Sequence, residues 1–402
     1  MNDHADPSAT AARLNAEAMA AMGRRDLARA QDLLQNAVAQ MPSFEAAWLN
    51  LAGVQRALKA PEAALHSANA AIKLNPRSFM GLLIKASLLE AAGDEVGAAS
   101  TYGAAITVAP PFHTLSAATQ RALEHGRGVN DRFADRLYDS VKAQIDAILG
   151  SVISEETTRI NKFIDISLGR ARRQNSEGET YFQNPSHFFY PDLQYTEFFD
   201  NKNFPWISNI EHNTDIVLEE LQSVLSQHFP PYIQYDEGLP IDQWASLNHS
   251  ERWGAFHLIA NGEAHAENFQ QCPRTCELIA QAPQPNIARN APNAMFSRLR
   301  PKTRIPPHCG IANIRLVFHL PLIIPEGCGF RVGSQTRNWK VGQAWVFDDT
   351  IEHEAWNESD EDRYIFMMDV WHPNLSDLER HCISTIIAAI SSASATDSKM
   401  SI

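Results

Sequence analysis

The side chains best suited to chemistry lie between residues 297 and 372. His308 follows two prolines in RIPPHCG, His353 sits in FDDTIEHEAWN, and Arg363 opens RYIFMMDVW. Neutral imidazole is a natural ligand for iron(II) or zinc, so His308 and His353 are the candidate metal ligands and catalytic centre. Non-haem iron oxygenases ordinarily add a carboxylate on the same face and leave open positions for co-substrate and oxygen. The usual place for that carboxylate is Gly310, which cannot ligate. The pair would then hold the metal alone, with water or co-substrate completing the shell. Asp348 and Asp349 are candidate substitutes, although their place just before His353 suits them better to building a turn. A 2-oxoglutarate co-substrate would chelate the metal with one end and need a cation for its far carboxylate. A planar, permanently charged guanidinium fits that task. Arg363 stands at the distance after the second histidine at which jelly-roll oxygenases often carry a basic residue.

A second group lies in IRLVFHLPL. Side chains alternate along a strand, which sends Arg315, Val317 and His319 to one face and Leu316, Phe318 and Leu320 to the other. The first face would form an anion-binding wall and the second a core. Ser297, in MFSRLRP, adds a hydroxyl donor. The other candidates have plainer readings. His257, His265, His381 and the N-terminal histidines read as structural, and His372 in VWHP as a turn hydrogen-bonder. Trp253, Trp339, Trp345, Trp356 and Trp371 read as core, and Glu352 and Glu354 as solvent-facing.

These residues need strands to hold them. From about residue 190 aromatic, proline and β-branched residues rise, and short apolar runs (RLVFHLPLII, GCGFRVG, QAWVFDD, RYIFMMDVW) are punctuated by glycine and proline. That pattern predicts an antiparallel double-stranded β-helix, a jelly roll of the cupin kind. One amphipathic helix is expected over 212–229. Residues 155–188 show no firm element. Residues 113–150 read as helix broken near Gly126 and Gly128, with Phe133, Leu137, Val141, Ile145 and Leu149 as its stripe. The tail from about 388 is small, polar and expected to fray.

The N-terminal hundred residues are alanine-rich and repeat. Pro42, Pro76 and Pro110 keep a period of 34, as do Ala30, Ala64 and Ala98, then Ala37, Ala71 and Ala105, and Ala18, Ala52 and Ala86. Small residues let paired helices approach, and proline ends the second helix of each pair. The segment resembles three tetratricopeptide repeats, which stack into a concave surface suited to peptides. The expected organisation is a multidomain α + β chain. An α-helical tetratricopeptide solenoid occupies 1–112, a helical connector 113–189, the barrel domain 190–387 and a flexible tail 388–402.

With 44% hydrophobic and 20% charged residues the 402-residue chain is ordinary globular material for two or three domains. A net charge of -13 argues against nucleic acid as a partner. Five cysteines, an odd and sparse set, are no disulfide framework. The Cys272–Cys276 pair could close a local disulfide or hold a metal, but has no second pair beside it. The start of the chain is no secretory signal, and no window suffices for a membrane span. A cytoplasmic protein is expected.

Residues 190–380 resemble the aspartyl/asparaginyl β-hydroxylase family. The likeness is carried by FYPDLQYTEFFDNKNFPW, CPRTCELI, PPHCGIANIRLVFHLPLIIPEGCGFRVG, NWKVGQAWVFDDTIEHEAWN and RYIFMMDVWHP. It implies a two-histidine oxygenase with glycine in the carboxylate position. His308 and His353 would ligate iron(II), while Ser297, His319 and Arg363 would contact 2-oxoglutarate and Arg315 would stand nearby. The implied reaction consumes oxygen and 2-oxoglutarate, releases succinate and carbon dioxide, and turns C–H into C–OH. Its best-known substrate is the β-carbon of Asp or Asn in a peptide or protein, which the repeats could dock. Other relatives act on small amino acids or lipids. Val317 departs from the family, whose members often carry a second arginine there; an apolar side chain cannot pair with a carboxylate, so ligand recognition should differ. Two readings compete with the enzyme: a non-catalytic repeat-and-barrel scaffold, which Gly310 and Val317 would favour, and a zinc hydrolase, which lacks a general base at useful spacing.

Overall fold

The computed structural model describes residues 6–151, 153–173, 180–234 and 242–393. It divides into two compact units, one ending at Leu137 and the other running from Tyr138 to Ser392.

The first unit is built from helical hairpins. They are α1 (Pro7–Gly23) with α2 (Leu27–Gln40), α3 (Glu45–Ala57) with α4 (Pro61–Leu74), and α5 (Phe79–Ala91) with α6 (Glu95–Thr107). Leu27, Pro61 and Glu95 begin the second helices at the 34-residue period of the sequence. All nine alanines of the three alanine series are fully buried, as the close helix approach requires. Asp26 and Asp94 cap α2 and α6 by accepting from the backbone N–H of Arg29 and Gly97. This is the tetratricopeptide arrangement. Helix α7 (Ala117–Leu149) runs unbroken through Gly126 and Gly128, correcting the expected break. Gly126 is there for space: a Cβ would meet the Tyr102 ring at 2.4 Å. Its small size, and not flexibility, is what the position uses.

The second unit contains the end of α7 and then α8 (Glu155–Ser167), β1 (Phe198–Phe199), α9 (Ile207–His212), α10 (Thr214–Val224), β2 (Trp253–Ala260), β3 (Glu263–Ala264), α11 (Ala266–Gln271) and α12 (Pro273–Ile279). It continues with β4 (Ala294–Leu299), β5 (Thr303–His308), β6 (Arg315–Ile323), β7 (Cys328–Val332), β8 (Gln335–Arg337), β9 (Trp345–Phe347), β10 (His353–Asn357), β11 (Arg363–Trp371) and α13 (Asp377–Ser392). Seven strands form one antiparallel sheet in the order β1-β9-β6-β11-β4-β2-β3, and four form the other in the order β5-β10-β7-β8. That is the jelly roll expected.

One face of the larger sheet is covered by helices. Leu316, Phe318, Leu320, Phe296, Phe366 and Val370 share a core with Ile210, Val217 and Leu221 of α9 and α10 and Ile279 of α12. The opposite face is free to line a cavity.

Several local expectations need correction. Helix α8 occupies part of the stretch read as featureless; a reciprocal capping box of Ser154 and Thr157 starts it, while residues 174–179 lie outside the described set. The single helix expected over 212–229 is shorter: α9 ends at His212, Asn213 caps both helices, and α10 runs only from Thr214 to Val224. Residues 388–392 belong to α13, whose Ile386 and Ile387 are buried, so the tail begins later than expected; residues 394–402 are outside the description. Trp356 is half-buried beneath the Arg304 guanidinium. Its indole fills the space where a Gly329 Cβ would stand.

Candidate functional site

Strand β5 carries Pro306 and Pro307, which a central strand would not tolerate; it lies at the edge of the smaller sheet. Its last residue, His308, is the direct cross-strand partner of His353, the first residue of β10. The two rings are 4.0 Å apart at their centroids. Nδ1 of His308 lies 2.7 Å from the Pro306 carbonyl, and Nδ1 of His353 lies 3.0 Å from that of Ile351. A carbonyl only accepts, so each Nδ1 carries the proton and each Nε2 keeps its lone pair, the form a metal requires. Burial pushes His353 down to about 4 and His308 well below its ordinary value, keeping both rings neutral.

The loop after His308 and the loop before His353 are tied together from outside. Gln183, fully invisible to sequence reasoning, donates to Asp348 Oδ2 and accepts from Asn313. Asn313 also donates to the Tyr190 carbonyl and accepts from the Tyr190 N–H. Asp348 Oδ1 accepts from the Thr350 hydroxyl and N–H, so Asp348 does build the turn.

Asp349 does more than that. Its carboxylate stands where a side chain at 310 would go: a Cβ on Gly310 would lie 2.1 Å from Asp349 Oδ2. Oδ2 is 3.2 Å from Nη1 of Arg315, and Oδ1 is buried without a hydrogen-bond partner. Among the described residues no group of three or more His, Cys, Asp or Glu side chains forms a metal cluster. The five cysteines are free thiols, and burial pushes Cys272 and Cys276 up to about 12, a poor state for metal binding.

The cavity is enclosed by the inner faces of the two sheets. Period-two alternation supplies Arg315, Val317 and His319 from β6, Arg363, Ile365, Met367 and Asp369 from β11, and Met295 and Ser297 from β4. Every candidate site residue therefore borders one cavity: Ser297, His308, Arg315, His319, His353 and Arg363. Trp253 and Trp339, expected in the core, are buried walls of it. Glu354, expected in solvent, is half-buried and paired with Arg304 and Arg331; Glu352 is also paired with Arg331.

The two arginines differ sharply. Arg315 Nη1 contacts Asp369 Oδ1 at 2.8 Å and Asp349 Oδ2 at 3.2 Å. Burial draws its pKa down, but the two carboxylates outweigh that and the net shift is upward. It lines the cavity, as the alternation along β6 predicts, with its charge already met by two carboxylates. Arg363 is 1% exposed, lies 5.0 Å over the Trp339 ring, and leaves Nε and Nη1 without partners. Burial pushes it down to about 10. Near it, Ser297 Oγ accepts from Trp253 Nε1 and so keeps its own hydrogen to donate, while His319 Nδ1 is unpartnered.

Sequence reasoning missed Tyr232, Trp244, Asn293 and Asp369. Asp369 had a readable signal, a lone acid in the apolar run FMMDVW, two residues on from an inward position.

Two sheets enclosing one cavity, with an oriented histidine pair and a buried arginine on its wall, define a jelly-roll protein. Residues 211–373 match the family model described as aspartyl/asparaginyl β-hydroxylase. The chain is 31% identical over 181 residues to the human aspartyl/asparaginyl β-hydroxylase, covering 45% of this chain and 23% of that one. It is 30% identical over 269 residues to human aspartate β-hydroxylase domain-containing protein 2, covering 66% and 68%. To the ornithine lipid ester-linked acyl 2-hydroxylase of Rhizobium tropici it is 32% identical over 178 residues, covering 44% and 60%. The chain belongs to the aspartyl/asparaginyl β-hydroxylase family, a family of hydroxylases, while spanning under a quarter of the first of these relatives. No helix among the described residues is long and apolar enough to cross a membrane.

Proposed function

We propose that the chain is an iron(II)- and 2-oxoglutarate-dependent hydroxylase acting on the β-carbon of an Asp or Asn residue in a peptide or protein, with the repeats docking that partner. The observation that carries this reading is Arg363. A fully buried guanidinium with two unpartnered nitrogens is costly unless an anion joins it. A dicarboxylate whose other end reaches the histidine pair supplies that anion. Ser297 and His319 add donors at the same end.

His308 and His353 would hold the metal through Nε2, fixed by their Nδ1–H bonds to backbone carbonyls. Asp349 Oδ1 offers an acceptor on the wall beside Gly310. Trp244, Trp253, Phe330 and Phe347 keep the cavity dry around the rings. When bound, the iron would couple a two-electron oxidation of 2-oxoglutarate to a two-electron oxidation of the C–H bond. In balance, R–H, O2 and 2-oxoglutarate give R–OH, succinate and CO2.

The test is direct. Manganese(II) with 2-oxoglutarate should stabilise the protein by about 2.7 kcal/mol at a hundred times Kd, and iron(II) should support succinate formation that His308→Ala and His353→Ala abolish. No thermal shift at millimolar ligand would leave the non-catalytic scaffold.

A further inference from the structure

Resting on the hydroxylase reading, we infer that the side chain presented to this cavity must be uncharged, so that an asparagine amide is accepted and an aspartate carboxylate excluded.

The charges around the cavity decide this. Two arginines and two aspartates, Arg315, Arg363, Asp349 and Asp369, line the cavity. Both aspartates point at Arg315, at 3.2 and 2.8 Å. Arg363 takes the far carboxylate of the co-substrate, and the remaining carboxylate and keto group belong to the metal. With a divalent ion and a dianionic co-substrate the site sums to zero. An aspartate side chain would add an unanswered negative charge in a buried space, whereas an asparagine of the same shape would add none. Burying a carboxylate without a cation is strongly unfavourable.

Among the described residues that line this cavity, Arg315 and Arg363 are the only Lys or Arg side chains. Between Arg315 and His319 the inward position on β6 is Val317, whose cross-strand neighbours are Asp369 and Phe347. The place next to Arg315 is therefore apolar on one side and anionic on the other. What the wall does offer is a neutral donor: Nε1 of the fully buried Trp244 has no partner, and an amide or peptide carbonyl would supply one.

Two peptide libraries with randomised flanks, one with central Asn and one with central Asp, separate the possibilities. Each is incubated with the full chain, iron(II) and 2-oxoglutarate and read by mass spectrometry for one added oxygen. Each is also passed over immobilised manganese(II)-loaded protein to read binding without turnover. At least a tenfold preference for the Asn library in both readouts is expected. Val317→Arg should shift that preference toward Asp by at least tenfold; Val317→Lys serves if the first variant fails to show the 2-oxoglutarate thermal shift. Equal or better use of Asp by the natural chain overturns the inference. So does oxidation of neither library by protein that still converts 2-oxoglutarate to succinate. Absence of both succinate formation and co-substrate binding instead removes the hydroxylase reading itself.

Discussion

Arg315 and Arg363 sit on neighbouring strands of one sheet, face the same cavity, and are 3% and 1% exposed. One is held between two carboxylates; the other has only a tryptophan ring and two idle N–H groups. A buried ion pair is weak evidence of stabilisation, but removing one partner leaves charges stranded. The same residue type is thus neutralised within the wall at one place and left without a carboxylate at another, and only the second suits the anion-binding role proposed above.

The sharpest way to break this contrast is at the histidine pair. His353→Ala should cut succinate formation more than about 100-fold while 2-oxoglutarate retains some affinity for Arg363; unchanged turnover would detach the arginine from any metal chemistry. Next, Arg315→Met should lose about 3–5 kcal/mol of unfolding free energy by stranding Asp349 and Asp369, read by urea titration. Arg363→Met, by the same titration without ligand, should lose less than about 1 kcal/mol, since it removes an unanswered charge. It should raise the 2-oxoglutarate concentration for half-saturation about 100-fold, the loss of a desolvated charge-assisted pair. Equal destabilisation by both arginine variants would sink the comparison.

A smaller effect tests a satisfied buried group elsewhere. His372 donates from Nε2 to the Gln194 carbonyl and accepts from the Asn374 N–H at Nδ1, and burial pushes it down to about 4. Its neutral form is favoured only in the folded chain, so the stabilisation is complete above pH 6.5 and is lost as pH falls toward 4. Between pH 7 and 5 this amounts to about 2 kcal/mol, and His372→Gln should flatten the pH dependence of unfolding by that amount.

The repeats were legible because helix packing forces the same small residue to recur at one period, and nine alanines record it. The strands of the site were legible where inward and outward residues alternate, as in RLVFHLPLI. The histidine pair and Arg363 could be named from type and spacing. What lay beyond the sequence was pairing across distance. Nothing in it indicated that Asp349 and Asp369 would converge on Arg315, or that Gln183 would tie Asp348 to Asn313 from more than a hundred residues away. Gly126 misled for a related reason: glycine reads as a breaker unless the ring that needs its space is known.

Position 310 leaves one more consequence. An aspartate grafted there, to rebuild the three-ligand set of other oxygenases, would have to displace the carboxylate of Asp349 before its own Cβ could fit. The graft would swap one acid for another and unsettle the clasp on Arg315. Crowding by Asp349 thus bars a third acidic side chain from position 310 unless position 349 changes as well.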